Sequence, residues 1–235
     1  MDTLLQLDTD IFLFFNSMHA PFWDVFMRLF SGKWIWVPMY AVILAVLWRS
    51  YRWRVALTMT VAAALVIVIA DQTCATLIRP YFERLRPSQP DNPLSALTHI
   101  VDGYRGGRYG FPSCHAANSF GLAVFTALLF NHRRWTLFIV VWALLNSYTR
   151  LYLGVHYPGD LTVGALVGAT AASVVYLMTG SVLSRWAAPR GLLQTPPLRE
   201  LHLGRHTLWY RPFDAAIATG LLTAAYIALR AAICC

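Results

Sequence analysis

Three groups of residues in the chain carry side chains suited to a single reaction. Arg79 and Arg86, the latter followed by Pro87, form the first group; Pro112, Ser113, Cys114 and His115 form the second; Thr149, Arg150, His156 and Asp160 form the third. Guanidiniums are planar, permanently charged forks whose donors match phosphate oxygens, so a site that gathers Arg79, Arg86 and Arg150 suits a phosphoryl group. His156 and Asp160 are four positions apart. In a turn or helix the carboxylate can reach the imidazole, fix its tautomer and leave the other ring nitrogen to attack an electrophile. His115 would supply the second function that phosphoester cleavage needs, a proton for the departing oxygen. His19, His99, His132, His202 and His206 read as ordinary polar residues at element ends or in connectors.

Competing chemistries fit the spacing less well. Separate contacts of each Arg with lipid headgroups would account for the charge but not for the histidines. A cysteine phosphatase needs Arg six positions after its thiolate, where Cys114 is followed by Phe120. A zinc site could draw on His115, His156 and Asp160, but the chain has no HExxH and the neighbouring arginines repel a dication. No metal and no cofactor is therefore expected. Cys74 lies in an apolar run, Cys114 stands alone in sequence, and Cys234 with Cys235 forms a vicinal tail pair, so no disulfide framework is expected.

The elements that must position these residues follow from composition. Of 235 residues, 57% are hydrophobic and 13% charged, too few charges to cover a water-soluble globule, and the mean hydropathy is +0.51. Apolar runs over residues 11–30, 34–48, 55–78, 116–130, 135–148, 161–179 and 214–233 predict an all-α polytopic bundle of transmembrane helices. The first run is interrupted by Asn16, His19, Pro21 and Asp24; it is read as a kinked span, with a re-entrant or interfacial helix as the alternative. Asp2, Asp8 and Asp10 precede it, unlike the basic start of a secretory signal, and no cleavage is expected. Gly164 and Gly168 form a small-xxx-small pair read as helix packing.

The net charge of +8 would suggest nucleic acid in a soluble protein, but here its distribution marks topology. Arg49, Arg52 and Arg54 fill one connector, Arg133 and Arg134 another, and Arg185, Arg190, Arg199, Arg205 and Arg211 a third, the pattern of cytoplasmic loops. Nucleic-acid binding is not expected. Alternation then places residues 79–115 and 149–160 together on the opposite face. The first of these segments carries Arg79, Arg84, Arg86, Arg105 and Arg108 against the positive-inside preference, which suggests a function for them. Its many Pro and Gly residues make it an irregular loop.

With that topology in place, the order Arg79, Arg86-Pro87; Pro112-Ser113-Cys114-His115; Thr149-Arg150, His156, Asp160 resembles the three-part signature of the type 2 phosphatidic acid phosphatase family, relatives of the bacterial acid phosphatases and vanadium haloperoxidases. The resemblance covers roughly residues 11–179, including the placement of each motif relative to the spans. It implies that His156 is the nucleophile forming a phosphohistidine, Asp160 its orienting partner and His115 the general acid. It also implies that Arg79, Arg86 and Arg150, with Ser113 and the main-chain amide of Cys114, hold the phosphoryl oxygens, without a metal. The family usually has Lys at the position of Arg79, Gly at Cys114 and Ser at Thr149. The Gly replacement matters if the motif needs a positive φ or a close backbone approach to phosphate.

The expected architecture is a six-span core over residues 1–183, with active-site loops 79–115 and 149–160. A basic cytoplasmic connector over 184–212 and an extra C-terminal span over 213–235 follow. The expected function is a lipid phosphatase of the bacterial inner membrane that opens to the periplasm. By the resemblance its substrate is first undecaprenyl diphosphate, then lipid A, with phosphatidylglycerophosphate and phosphatidate as further alternatives. A lipid phosphotransferase or a non-catalytic anionic-lipid binder or transporter uses the same charges and remains a different class. Expected partners are the lipid phosphate and the bilayer; the sequence does not define an oligomeric state.

Overall fold

A 15-residue helix opens the chain, α1 (Asp2–Asn16), in a computed structural model that describes residues 2–186, 199–203 and 206–234. Its inner face is Asp8, Phe12 and Asn16 at helical spacing, with Phe12 and Asn16 buried, whereas Leu4, Leu7 and Phe14 form an exposed apolar stripe. The chain breaks after Asn16, and α2 begins at a proline well placed for a first turn (Pro21–Phe30). A short 3-10 turn, Lys33–Trp36, leads into α3 (Val37–Ser50), which is bent by 64° from α2. The run over 11–30 is therefore not one kinked span: the chain leaves helix at 17–20, and α2 pairs with α3 instead. Asn16 explains the break, since its side chain binds the backbone of distant residues, donating to Tyr152 O at 2.8 Å and accepting from His99 N at 2.7 Å.

α4 (Trp53–Gln72) continues through a π-helical turn, Thr73–Ile78, into the short α5 (Arg79–Phe82). The loop that follows contains two 3-10 turns and ends at α6 (Cys114–Phe130). Then come α7 (Arg133–Tyr152), α8 (Pro158–Trp186), the hairpin β1 (Arg199–Leu203) with β2 (His206–Tyr210), and α9 (Asp214–Cys234). The strands pair antiparallel from Arg199 opposite Tyr210 to Leu203 opposite His206. Arg190 and Arg205, assigned to the third basic connector, lie outside the described residues.

Among the described residues, Trp53–Phe82, Pro158–Arg185 and Asp214–Cys234 are each long and apolar enough to cross a membrane, and the bent α2–α3 pair is a fourth candidate. The protein is an all-α multi-pass membrane protein. α6, at 17 residues, covers its expected run over 116–130 but is shorter than these spans, and α7 carries Asn146 and Arg150 within its length. The centre of the bundle is α6 against α8. A Cβ on Gly164 would stand 2.4 Å from Ser113 O, and one on Gly168 would stand 2.0 Å from Ala117 O. The two helices thus meet backbone to backbone, as the glycine spacing predicts. α9 packs on α2 and α3.

Candidate active site

The first motif begins where the π turn ends. Arg79 donates through Nη2 to Pro112 O at 3.0 Å and approaches Cys114 Sγ at 2.9 Å, which ties the end of α4 to the start of α6. Beyond it the loop folds as a small antiparallel pairing: Leu85 bridges Tyr109, Gly110 N donates to Arg84 O, and Arg86 N donates to Arg108 O. In extended backbone alternate residues share a face. Arg84 and Arg86 accordingly both reach the third motif. Arg86, 8% exposed, donates through Nη1 to Val155 O at 3.0 Å and meets His156 Nε2 at 2.7 Å. Burial, then the nearby Arg150 and Arg79, pulls its pKa down to about 10.

The third motif lies in the turn between α7 and α8. Gly154 has φ +71° and no room for a Cβ beside Thr98 and His99, so this turn requires glycine. It delivers His156 into the interior, 2% exposed, with Nδ1 3.2 Å from Asp160 Oδ2. Asp160 Oδ2 also accepts from Tyr157 N at 3.1 Å, and Oδ1 accepts from Arg84 Nη1 at 3.1 Å. With a carboxylate at Nδ1 and a guanidinium at Nε2, the consistent tautomer is Nδ1–H, lone pair on Nε2. Burial, then Arg86, Arg150, His115 and Arg79, holds the His156 imidazole well below the ordinary histidine range. The Arg86 donor at Nε2 fits the neutral ring.

The second motif starts α6. Ser113 caps it by accepting from Ala116 N, and its own N–H donates to Asp160 O at 3.0 Å, linking the second and third motifs directly. Cys114 occupies the first helical position and is not among the positive-φ residues, so the Gly usual there is not required by backbone conformation in this chain. Nor does Cys114 stand alone: it packs in one cluster with Cys74, Ala70 and Ala117. His115 Nε2 lies 3.0 Å from Asn146 Oδ1, and Asn146 Nδ2 donates to Ser119 Oγ at 2.9 Å. That chain puts a proton on Nε2 of His115 and leaves the lone pair on Nδ1.

Arg150, in the last turn of α7, donates to Ser31 Oγ at 2.6 Å and to Tyr104 OH at 3.1 Å. The structure therefore brings Arg79, Arg86, Ser113, Cys114, His115, Arg150, His156 and Asp160 to one end of the bundle. Three of them share a further property. Arg79, Arg86 and Arg150 each keep a buried Nε–H without an acceptor, and a buried donor left unpaired costs roughly 1–3 kcal/mol. An anion among them relieves that cost.

Other expected or overlooked residues sort differently. Arg105 is tied to Ser88 O and Ser95 Oγ within its own loop, and Arg108 forms an exposed ion pair with Asp91, so neither joins the site. His99 stacks on His19 and pairs with Asp24 at 2.8 Å, a satisfied polar residue as expected. Sequence reasoning missed Asn146, although a polar residue one turn before Arg150 inside an apolar run is a usable signal. It also missed Gly110, where a Cβ would come within 3.0 Å of Asp160 Oδ2. Among the described residues no group of three His, Cys, Asp or Glu side chains is arranged to hold a metal ion.

A cavity of about 470 Å³ runs from this site between α3, α4, α6 and α7. His115, Asn118 and Asn146 line its polar end, and Tyr40, Ile43, Leu122 and Phe125 contribute apolar wall.

A membrane-embedded bundle that collects three arginines and a His–Asp pair, with His115 leading from them to an apolar cavity, defines a phosphatase of membrane lipids. The chain belongs to the PAP2 superfamily, whose model matches residues 55–182. It is 54% identical to a lipid A 4'-phosphatase of Bacteroides thetaiotaomicron over 185 residues, 79% of this chain and 82% of that one. It is 35% identical to a lipid A 4'-phosphatase of Porphyromonas gingivalis, across 79% of this chain and 78% of that one. An undecaprenyl-diphosphatase of Sulfolobus acidocaldarius is 27% identical over 62% of this chain and 64% of its own. The crystal structure of Aquifex aeolicus LpxE superimposes with a TM-score of 0.53 at 24% identity, covering 72% of this chain and 94% of that one, and so shares the fold. The chain is a phosphoric monoester hydrolase acting on a membrane lipid. The two relatives of higher identity are lipid A phosphatases, the alternative that the sequence reading ranked after undecaprenyl diphosphate.

Proposed function

We propose that the protein is a lipid A 4'-phosphatase of the bacterial inner membrane with its site facing the periplasm. The observation that carries the phosphatase chemistry is the set of three buried Nε–H donors, on Arg79, Arg86 and Arg150, around the neutral imidazole of His156. The identity to two lipid A 4'-phosphatases supports the substrate. Orientation rests on charge: Arg49, Arg52, Arg54, Arg133 and Arg134 lie at helix ends remote from the site, the arrangement expected of a cytoplasmic face.

In this reading the sugar phosphate enters the arginine cluster while the acyl chains occupy the apolar cavity. Arg86 turns Nη1 from His156 Nε2 to a phosphoryl oxygen, which frees the lone pair. Nε2 attacks phosphorus as the P–O bond to the sugar breaks, and the Nδ1–H to Asp160 contact stabilises the charge that grows on the ring. His115, its Nε2–H held by Asn146, takes up the proton of the phosphate monoanion on Nδ1 and passes it to the departing sugar oxygen. The donors of Arg79, Arg86 and Arg150, with the amide end of α6, stabilise the transition state. Water then attacks the phosphohistidine, His115 takes its proton, and inorganic phosphate leaves.

The test is phosphate release by the detergent-purified protein, with a chelator present, from lipid A, undecaprenyl diphosphate, phosphatidylglycerophosphate and phosphatidate. His156→Ala serves as the blank, and mass spectrometry locates the phosphate lost. Loss of the 4'-phosphate from lipid A, faster than from the other lipids and abolished in the variant, is expected. Faster turnover of undecaprenyl diphosphate overturns the substrate assignment; binding of lipid A without release overturns the reaction.

A further inference from the structure

Arg84 lies next to the site but does not face the arginine cluster. Its Nη1 bridges two carboxylates, Asp8 Oδ2 at 2.7 Å and Asp160 Oδ1 at 3.1 Å, and its Cζ lies 3.7 Å over the ring of Tyr157. Asp8 makes a second contact, accepting from Gly159 N at 2.7 Å. One cation between two anions is net negative, so this cluster repels phosphate rather than binding it. The side chains of Arg84 and Asp8 are 22% and 14% exposed, and Asp160 is fully buried. Partial burial makes such a pairing more than a surface ornament.

We infer that Arg84 and Asp8 are positioning residues for the proposed reaction, holding the Asp160 carboxylate so that it fixes His156, with α1 as the brace. Asp160 has two oxygens and one of them must stay on His156 Nδ1. Oδ2 is already shared with Tyr157 N, and the Arg84 contact at Oδ1 stops the carboxylate from rotating about its Cβ–Cγ bond. Arg84 in turn is anchored by Asp8. Phe12, one helical turn after Asp8, packs its ring 5.4 Å from Tyr157, and Asn16 a turn further holds the backbone of Tyr152. The inner face of α1 thus touches the α7–α8 turn on both sides of His156, while its outer face presents Leu4, Leu7 and Phe14. The spacing of Arg84 and Arg86 on one extended strand explains how a single loop supplies both contacts. Arg86 meets His156 at Nε2, and Arg84 reaches it from behind through Asp160.

The inference rests on the assignment of His156 as nucleophile, and its test separates the two. Arg84→Gln, Arg84→Lys and Asp8→Asn are compared with the wild-type chain for kcat and KM on lipid A. In parallel, 15N-histidine NMR follows the Nδ1–H signal of His156, assigned by its loss in His156→Ala. Arg84→Gln is expected to lower kcat about 10- to 100-fold, the scale of a small misplacement of a reacting group. KM should stay within about 3-fold, and the Nδ1–H signal should weaken or shift. Arg84→Lys should recover much of the loss, because one ammonium can still bridge two carboxylates; Asp8→Asn should lower kcat by less than Arg84→Gln. A raised KM at unchanged kcat would make Arg84 a substrate ligand and overturn the inference. So would lowered thermal stability with wild-type kcat and an unmoved Nδ1–H signal. If the wild-type chain releases no phosphate, the phosphatase reading fails, and the NMR signal alone decides whether Arg84 governs the His156–Asp160 pair.

Discussion

Burial and three guanidiniums hold the imidazole of His156 below the ordinary histidine range. In the proposed reaction the neutral form attacks, so a depressed pKa keeps the nucleophile available as pH falls. The acidic limb of the kcat/KM profile is accordingly expected below pH ~6.5, the value for an unperturbed histidine; a limb at or above that value contradicts the assignment. The same depression has a stability consequence of fixed sign. The unfolded chain protonates this ring at a higher pH than the folded one, so its contribution is present above pH ~6.5 and lost as pH drops below it. The residues assigned to this chemistry in the proposal stood out in sequence because each sits at the end of an apolar run, where a polar side chain has no topological reason to be. Arg84 was visible but unassigned. Its partner Asp8 lies 76 positions earlier, on a helix that the hydrophobic pattern merges with the next, and nothing local marks a contact over that distance.

At the scale of elements, the acid and the nucleophile of the proposed reaction belong to different segments, His115 to α6 and His156 to the turn before α8. Their spacing depends on how closely those helices approach, and Gly164 and Gly168 allow contact of backbones. Gly168→Val is expected to force α6 and α8 apart at Ala117 O, costing roughly 1–3 kcal/mol of stability. It should lower kcat as well, because Ser113 N would leave Asp160 O. Thermal melting in detergent together with turnover checks both, and an unaffected kcat in folded protein would separate the packing contact from the chemistry. This glycine pair was readable from spacing alone. The break between α1 and α2 was readable only as a kink, from Asn16, His19, Pro21 and Asp24 in the run over 11–30; what ends the helix is the set of distant backbone partners of Asn16.

For the whole molecule, the arrangement expected from charge and apolar runs reappears in the element order: basic clusters at one set of helix ends, the three motifs at the other. The substrate was the least legible part, because the motifs recognise only phosphate and the rest of the lipid meets apolar wall that many tails would fit. That wall has a kinetic consequence. A cavity lined by Ile43, Leu122 and Phe125 and ending at His115 draws its substrate from the two-dimensional phase in which the lipid is dissolved. The effective concentration is then a mole fraction in the micelle or bilayer. Adding inert detergent at constant total lipid A should slow turnover in proportion to surface dilution, whereas rates that follow bulk molarity alone would mean that substrate arrives through water.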